Sequence, residues 1–451
     1  MNDRVIIAGT NSGCGKTTVT LAILAALKLR SVSLSSFKCG PDYIDPMFHR
    51  KVLGIPSYNL DPFFCEKEQL RLRVGKNPDT FSVIEGVMGY YDGVGIDSEF
   101  STYSVAEATD TPVILVVNVK GMHTSVGAIL LGFCSYRQNS GIKGVIFNGA
   151  SAMLYPTLKE LAAAEGLLPL GFLPKDESIS VGSRHLGLVT AEEIEDLQER
   201  LQRLGTLAEQ SLNLDGILDL GTSACTLPRP VPAQISAQRA CVAVARDEAF
   251  CFLYEENLEL LAQMGCKLNF FSPLRDEKLP KGVAGLYLPG GYPELYLKEL
   301  SENAPLRAEI RNAIIGGMPT IAECGGFLYL HSKLDGMTMV GALGGDAYKT
   351  DRLQRFGYVT LTANEDNLLC KKGDSIRGHE FHYYDSTNCG EGFTASKPLS
   401  EKSWRCAHIS DRLYLGFPHL YFPANPGFAE NFIREIEQYE HDRAFKAIKT
   451  N

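Results

Sequence analysis

No run of about eighteen apolar residues occurs in this 451-residue chain, so no membrane-spanning helix is expected. No Cys-x-x-Cys pair occurs among the twelve cysteines, which argues against a zinc site or an iron–sulfur cluster. Positive charge is not in excess either: 44 Lys and Arg against 53 Asp and Glu leave a formal net charge of −9. Without a basic stripe to displace counterions, nucleic acid is not an expected partner. The chain does not open on a basic, apolar and small-residue signal pattern, so a cytoplasmic location is expected. There most cysteines would be small buried hydrophobes. What remains, 45% hydrophobic and 22% charged, is a globular composition, and the length calls for two domains.

The densest signal is Gly9-Thr10-Asn11-Ser12-Gly13-Cys14-Gly15-Lys16-Thr17. Apolar residues 5–8 precede it and helix-like residues 19–27 follow, the strand–loop–helix setting of a phosphate-binding P-loop. Backbone amides around Gly13 and Gly15 would face a nucleotide phosphate, Lys16 would add a point charge, and Thr17 would place its hydroxyl on Mg²⁺. Strand-like residues 32–37 run into a loop with Lys38, Asp42 and Asp45, and residues 81–84 run into Glu85 and Asp92. Carboxyl ends of strands in a parallel sheet meet at the ligand. Lys38 would then stabilise a transferring phosphoryl group, and Asp45 and Glu85 would join Thr17 on Mg²⁺. Asp42 and Asp92 would face the substrate, although Asp beside Gly or Pro is also a common turn former.

Residues 112–118 and 144–148 are the near-continuous apolar runs of parallel strands, with a crossover helix over 124–133 and a further strand over 168–174. Asn148, at a strand end, is the candidate for reading adenine, and Arg184 with His185 the candidates for substrate carboxylates. A polar helix over 192–210 and prolines at 228, 230 and 232 mark a semi-extended break. The expected organisation is a first domain over 1–226, a linker over 227–238 and a second domain over 239–451.

The second domain restarts with a strand at 241–247 and a helix over 250–264. Residues 285–288 form a strand feeding Pro289-Gly290-Gly291-Tyr292-Pro293-Glu294. Residues 319–322 lead into Glu323-Cys324-Gly325-Gly326 and helix formers, the pattern of a nucleophile elbow. A helix N-terminus at that turn is expected to lower the thiol pKa, and Gly290 and Gly291 to offer oxyanion-hole amides. Such a nucleophile needs a base, for which His419 is the candidate. His379 and His382 flank Glu380 and are read as lining the junction with the first domain. A P-loop partition or regulatory ATPase would need a basic surface or amphipathic tail and leaves Cys324 unexplained.

Together these motifs resemble the cobyrinic acid a,c-diamide synthase family of glutamine-dependent corrin amidoligases. The matching stretches include residues 9–20, 37–45, 59–61, 83–93 and 184–188, then 288–294, 322–326 and 378–383. The resemblance implies an α/β fold: a P-loop parallel-sheet ATP-binding domain similar in kind to dethiobiotin synthetase, followed by a class I glutamine amidotransferase-like α/β domain. It implies ATP and Mg²⁺ as cofactors, L-glutamine and a cobyrinic acid-type tetrapyrrole as partners, and a homodimer as the candidate assembly. Through acyl phosphates, the a and c acetates would become amides, with Cys324 taking the glutamyl group and His419 shuttling protons. Ni-sirohydrochlorin or hydrogenobyrinic acid would suit the same motifs. Many class I glutaminases place an acid two residues after the histidine; here that residue is Tyr421, and the corrin group is expected to use a Cys–His dyad. His419-Leu420-Tyr421-Phe422 stands where that group often reads His-Leu-His-Phe, and Phe417-Pro418 before it is also unusual.

Overall fold

Val5, Ile6, Ile7 and Ala8 are all fully buried, so their strand is covered on both faces, as a central parallel strand must be. In the computed structural model of the chain, which describes residues 2–175, 191–230 and 236–450, that strand is β1 (Arg4–Gly9). Six more follow: β2 (Leu34–Cys39), β3 (Ser57–Leu60), β4 (Phe81–Glu85), β5 (Val113–Asn118), β6 (Ile142–Asn148) and β7 (Leu168–Leu173). They form one parallel sheet in the order β3-β2-β4-β1-β5-β6-β7. The chain moves to either side of β1, so the crevice at the carboxyl ends of β1 and its neighbours is where such a sheet binds ligand. Helix α1 (Lys16–Leu29) packs its long apolar face, Val19 to Leu27, into this core.

The chain divides into two units, Met1–Val231 and Pro232–Asn451, a division that falls inside the stretch read as a linker. In the second unit β8 (Ala240–Ala245), β9 (Cys266–Phe271), β10 (Gly285–Leu288) and β11 (Thr320–Glu323) join the strands Leu413–Gly416 and His408–Ser410 in a six-stranded sheet. All its pairs are parallel except that of the last two strands. An antiparallel sheet adjoins it, in which Ser375–His382 pairs with both Arg355–Ala363 and His419–Leu420.

Two expectations shift. The strand read over 32–37 runs Leu34–Cys39, which brings Lys38 onto the sheet. The helix read over 250–264 begins only at Glu255: the amide of Phe252 donates instead to the Gly290 carbonyl at 3.0 Å, a tertiary pairing that overrides the local helical pattern.

Candidate active sites

In the phosphate loop Gly13 and Gly15 take φ of 79° and 99°, the left-handed region that costs glycine least. A side chain on Gly15 would also come within 2.0 Å of Asn148 Nδ2. Lys16 Nζ donates to the carbonyls of Asn11, at 3.1 Å, and of Met88. The β2–β4 register sets Lys38 beside Glu85. Lys38 Nζ lies 2.7 Å from Glu85 Oε1 and 2.5 Å from Asp45 Oδ2, and the Thr17 hydroxyl donates to the same Glu85 oxygen at 2.6 Å.

Lys38, Asp45 and Glu85 are all buried, and their charges decide one another's state. Burial works against the Lys38 ammonium, but the two carboxylates outweigh it and hold the group well above the ordinary lysine value. Burial also raises Asp45, where Lys38 prevails and the carboxyl ends below its usual range. For Glu85 burial, reinforced by Asp45 and only partly offset by Lys38, pushes the carboxyl up to about 7. One ammonium cannot neutralise two buried carboxylates, and the deficit falls on Glu85.

That deficit is what a divalent ion would relieve. Glu85 Oε2 is buried without a hydrogen-bond partner, and Thr17, Asp45 and Glu85 are hard oxygen donors of the kind Mg²⁺ takes. The residues present therefore fit the ion. Among the described residues no group of three or more His, Cys, Asp and Glu side chains is placed to hold a metal by itself.

The remaining residues singled out in this half have structural partners. Asp42 Oδ1 accepts the amides of Ile44 and Asp45 at 2.8 and 3.1 Å, and burial together with Asp45 raises its carboxyl to about 6. Asp92 Oδ2 accepts the Gly89 amide at 2.9 Å. Asn148 donates to the Cys14 carbonyl at 2.9 Å, so its amide braces the phosphate loop. Asn59 braces the loop after β2 by donating to the carbonyls of Gly40 and Asp42 at 2.9 and 2.7 Å. Arg184 and His185 lie outside the described residues.

In the second unit Cys324 follows β11 at φ 44° and ψ −106°, a conformation kept by a non-glycine residue only where its surroundings impose it. Its amide donates to the Gly416 carbonyl at 2.9 Å. The turn is closely enclosed. A Cβ on Gly326 would lie 2.2 Å from the Leu288 carbonyl oxygen, and one on Gly325 would lie 2.9 Å from the Gly291 nitrogen. A Cβ on Gly290 would lie 2.3 Å from His419 Cε1 and 3.3 Å from Cys324 Cβ. Nucleophile, base and glycine turn thus converge on one point. Gly290 is the bare surface between Cys324 and His419, and the Gly291 nitrogen is the one beside the residue following the nucleophile.

The expected low thiol pKa is not found. Burial, then the Glu294 carboxylate, push the Cys324 thiol up, against the Gly325 amide that hydrogen-bonds it. Desolvation among carboxylates exceeds what a single turn of helix supplies. The resting group is a thiol, and its proton must leave as it attacks.

One residue of this site was not legible. Glu323 Oε2 lies 3.7 Å from His419 Nδ1, with both side chains buried. The same carboxylate accepts the Tyr287 hydroxyl at 3.1 Å and the Leu420 amide at 3.0 Å. The acid absent at Tyr421 thus has a counterpart on the residue immediately before the nucleophile. His379 sits opposite His419 in register, and burial drives it down to about 3. His382, brought down to about 4 by burial, stacks on Phe417 with ring centroids 3.9 Å apart.

Comparison with known proteins bears on both halves. Residues 5–189 match the family described as the CobQ/CobB/MinD/ParA nucleotide binding domain, and residues 241–397 the CobB/CobQ-like glutamine amidotransferase domain. The chain is 38% identical over 426 residues to the cobyrinate a,c-diamide synthase of Caldanaerobacter subterraneus subsp. tengcongensis, covering 92% of this chain and 94% of that one. It is 37% identical over 438 residues to that of Clostridium acetobutylicum (95% and 99%) and 36% identical over 455 residues to that of Thermoplasma volcanium (98% of each).

Proposed function

The chain belongs to the cobyrinate a,c-diamide synthase family, and from that premise we propose that it converts the a and c acetate groups of cobyrinic acid to amides, using ATP and glutamine. It is an amidating ligase of cobalamin biosynthesis. The observation that carries the reading is the presence in one chain of two sites with complementary chemistry. One gathers Lys16, Lys38 and hard oxygen donors at a phosphate loop; the other sets a buried thiol beside an imidazole.

In the first unit the loop amides, Lys16 and Lys38 bind and neutralise the nucleotide phosphates, and Thr17, Glu85 and Asp45 are the residues that would hold Mg²⁺. Bound there, the ion supplies charge neutralisation on the phosphates. A substrate carboxylate oxygen bonds to the γ-phosphorus as ADP leaves, giving an acyl phosphate.

In the second unit the Cys324 sulfur attacks the side-chain amide carbon of glutamine while His419 takes the thiol proton. Glu323, facing the far nitrogen, stabilises the imidazolium so formed. His419 returns the proton to the departing ammonia, and water then releases glutamate from the thioester. The Gly291 amide is positioned to steady the oxyanion. Ammonia attacks the acyl carbon, phosphate departs, and a proton is lost to leave the amide. Two such cycles give the diamide.

The test is purified protein with ATP, glutamine and cobyrinic acid, read by mass, with hydrogenobyrinic acid and Ni-sirohydrochlorin in parallel. Two successive acid-to-amide conversions of cobyrinic acid are expected. Cys324→Ala should abolish amidation from glutamine and keep amidation from ammonia, because the two chemistries use separate residues. Failure of the wild type with both nitrogen sources would remove the reading.

A further inference from the structure

The loop after β4 and the helix Ser125–Ser135 line an open cavity of about 810 Å³ that reaches Thr10 of the phosphate loop and Asp92. Four aromatic residues, Tyr90, Tyr91, Phe133 and Tyr136, are among those that line it. Tyr91 stacks on Phe133 with centroids 5.7 Å apart and planes at 28°, and lies 5.1 Å from the Tyr136 ring. The Tyr91 hydroxyl is fixed on the Phe133 carbonyl at 2.6 Å, so its ring position is held by a polar bond at one end. Around the mouth, apolar groups stand in solvent: Ile96 is 88% exposed, Tyr136 62% and Met88 48%. A clustered apolar surface of this kind beside a ligand site calls for an occupant.

A guanidinium stands beside this surface. Arg137 Nη2 donates to Ser98, a lining residue, at 3.2 Å, and the guanidinium lies 5.1 Å from the Tyr136 ring centroid. Its Nε is buried with no hydrogen-bond partner. On the other side, the Met88 carbonyl receives the Lys16 ammonium, so the wall and the phosphate-binding lysine are one hydrogen bond apart.

We propose that this cavity seats the macrocycle of the substrate: a large, flat, apolar ring lies against Tyr91, Phe133 and Tyr136, one peripheral carboxylate reaches Arg137, and another is presented past Met88 to the phosphate loop. A lone purine leaves most of such a wall uncovered, and an alkyl chain has no use for the guanidinium. A flat ring edged with carboxylates uses both. The placement rests on the corrin-amidating reading and adds to it where the ring sits and which cation meets its acids.

Tyr136→Ala and Arg137→Gln test it, because Tyr136 is exposed and Arg137 only half-buried. In the ammonia-supported reaction each variant is expected to raise the KM for cobyrinic acid by roughly tenfold, about the worth of one aromatic face or one charged contact. The KM for ATP serves as the internal reference and stays at the wild-type value. The arginine variant should also lose part of the salt dependence of macrocycle binding. An unchanged macrocycle KM in both variants overturns the placement. So does a Tyr136→Ala protein whose sedimentation shows a smaller assembly than wild type, which would make the face a contact with a second copy of the chain. A wild type that amidates no corrin is a different failure: it removes the function and not the cavity assignment alone.

Discussion

Replacing Glu323 with glutamine removes a charge and almost no volume. The new amide can still accept the Leu420 amide and meet the Tyr287 hydroxyl, the two bonds the carboxylate now makes. What it cannot do is attract the imidazolium that forms when Cys324 gives up its proton. The two groups stand 3.7 Å apart, for which the Coulomb energy is about 4.5 kcal/mol at an effective dielectric of about 20. The transition state carries only part of that charge, so about 2–4 kcal/mol is the expected loss, a fall of roughly 30-fold to 10³-fold in glutamine turnover. The assay pairs glutamate release with ammonia-supported amidation on one preparation. Glutamine turnover should fall and change its pH–rate profile, the ammonia reaction should hold, and the thermal midpoint should stay put. Glu323→Ala is the contrasting variant: it strands a buried amide and a buried hydroxyl, at about 1–3 kcal/mol each, and should lose stability as well. Full glutamine turnover in Glu323→Gln, or a parallel fall with ammonia, would refute the positioning role.

Gly290→Ala places a methyl group 2.3 Å from His419 Cε1; it should silence glutamine hydrolysis with ammonia-supported amidation intact, as the same paired assay reads. Glu380 gives a pH effect. Burial, against Arg355 and Lys397, raises its carboxyl to about 7 from an ordinary value of 4.5, so the folded state holds the proton more tightly than the unfolded chain. Its contribution to stability is complete below about pH 4.5, is lost as pH rises to about 7, and is flat beyond. Relative to Glu380→Gln, the wild type should lose up to about 3 kcal/mol across that window, measured by urea unfolding at pH 5 and pH 8.

The motifs legible from sequence are those whose chemistry is dictated by the backbone. A phosphate loop needs glycine where φ is positive and a Gly-Lys-Thr ending, so Gly13, Gly15, Lys16 and Thr17 announce themselves over a few residues. Cys324 stands out because the glycines after it are the only residues its turn admits. Glu323 has no such marker: its partners, His419 and Leu420, lie almost a hundred residues downstream and arrive only when the strands pair. Asn148 and Asp42 have residue types that suit a ligand site, and the bonds the structure adds, from Asn148 Nδ2 to the Cys14 carbonyl and from the Ile44 and Asp45 amides to Asp42 Oδ1, have no local marker in the sequence. The thiol departs from the sequence expectation because the helix turn is visible in sequence and the burial among Glu294, Glu380 and Glu323 is not.

Lys16 has a second consequence through the Met88 carbonyl it holds. An ammonium drawn to an arriving phosphate must let that carbonyl go. Met88 sits at φ 50°, a conformation costing about 1–3 kcal/mol that persists only while its surroundings impose it. Losing the lysine removes one restraint on that turn, while Tyr91 keeps its bond to the Phe133 carbonyl and Asp92 its bond to the Gly89 amide. The expected consequence is that nucleotide in the phosphate loop loosens the turn at Met88, beside the aromatic residues of the cavity. Hydrogen exchange at the amides of residues 89–92 should quicken when nucleotide is added, and unaltered exchange would show that the turn does not loosen.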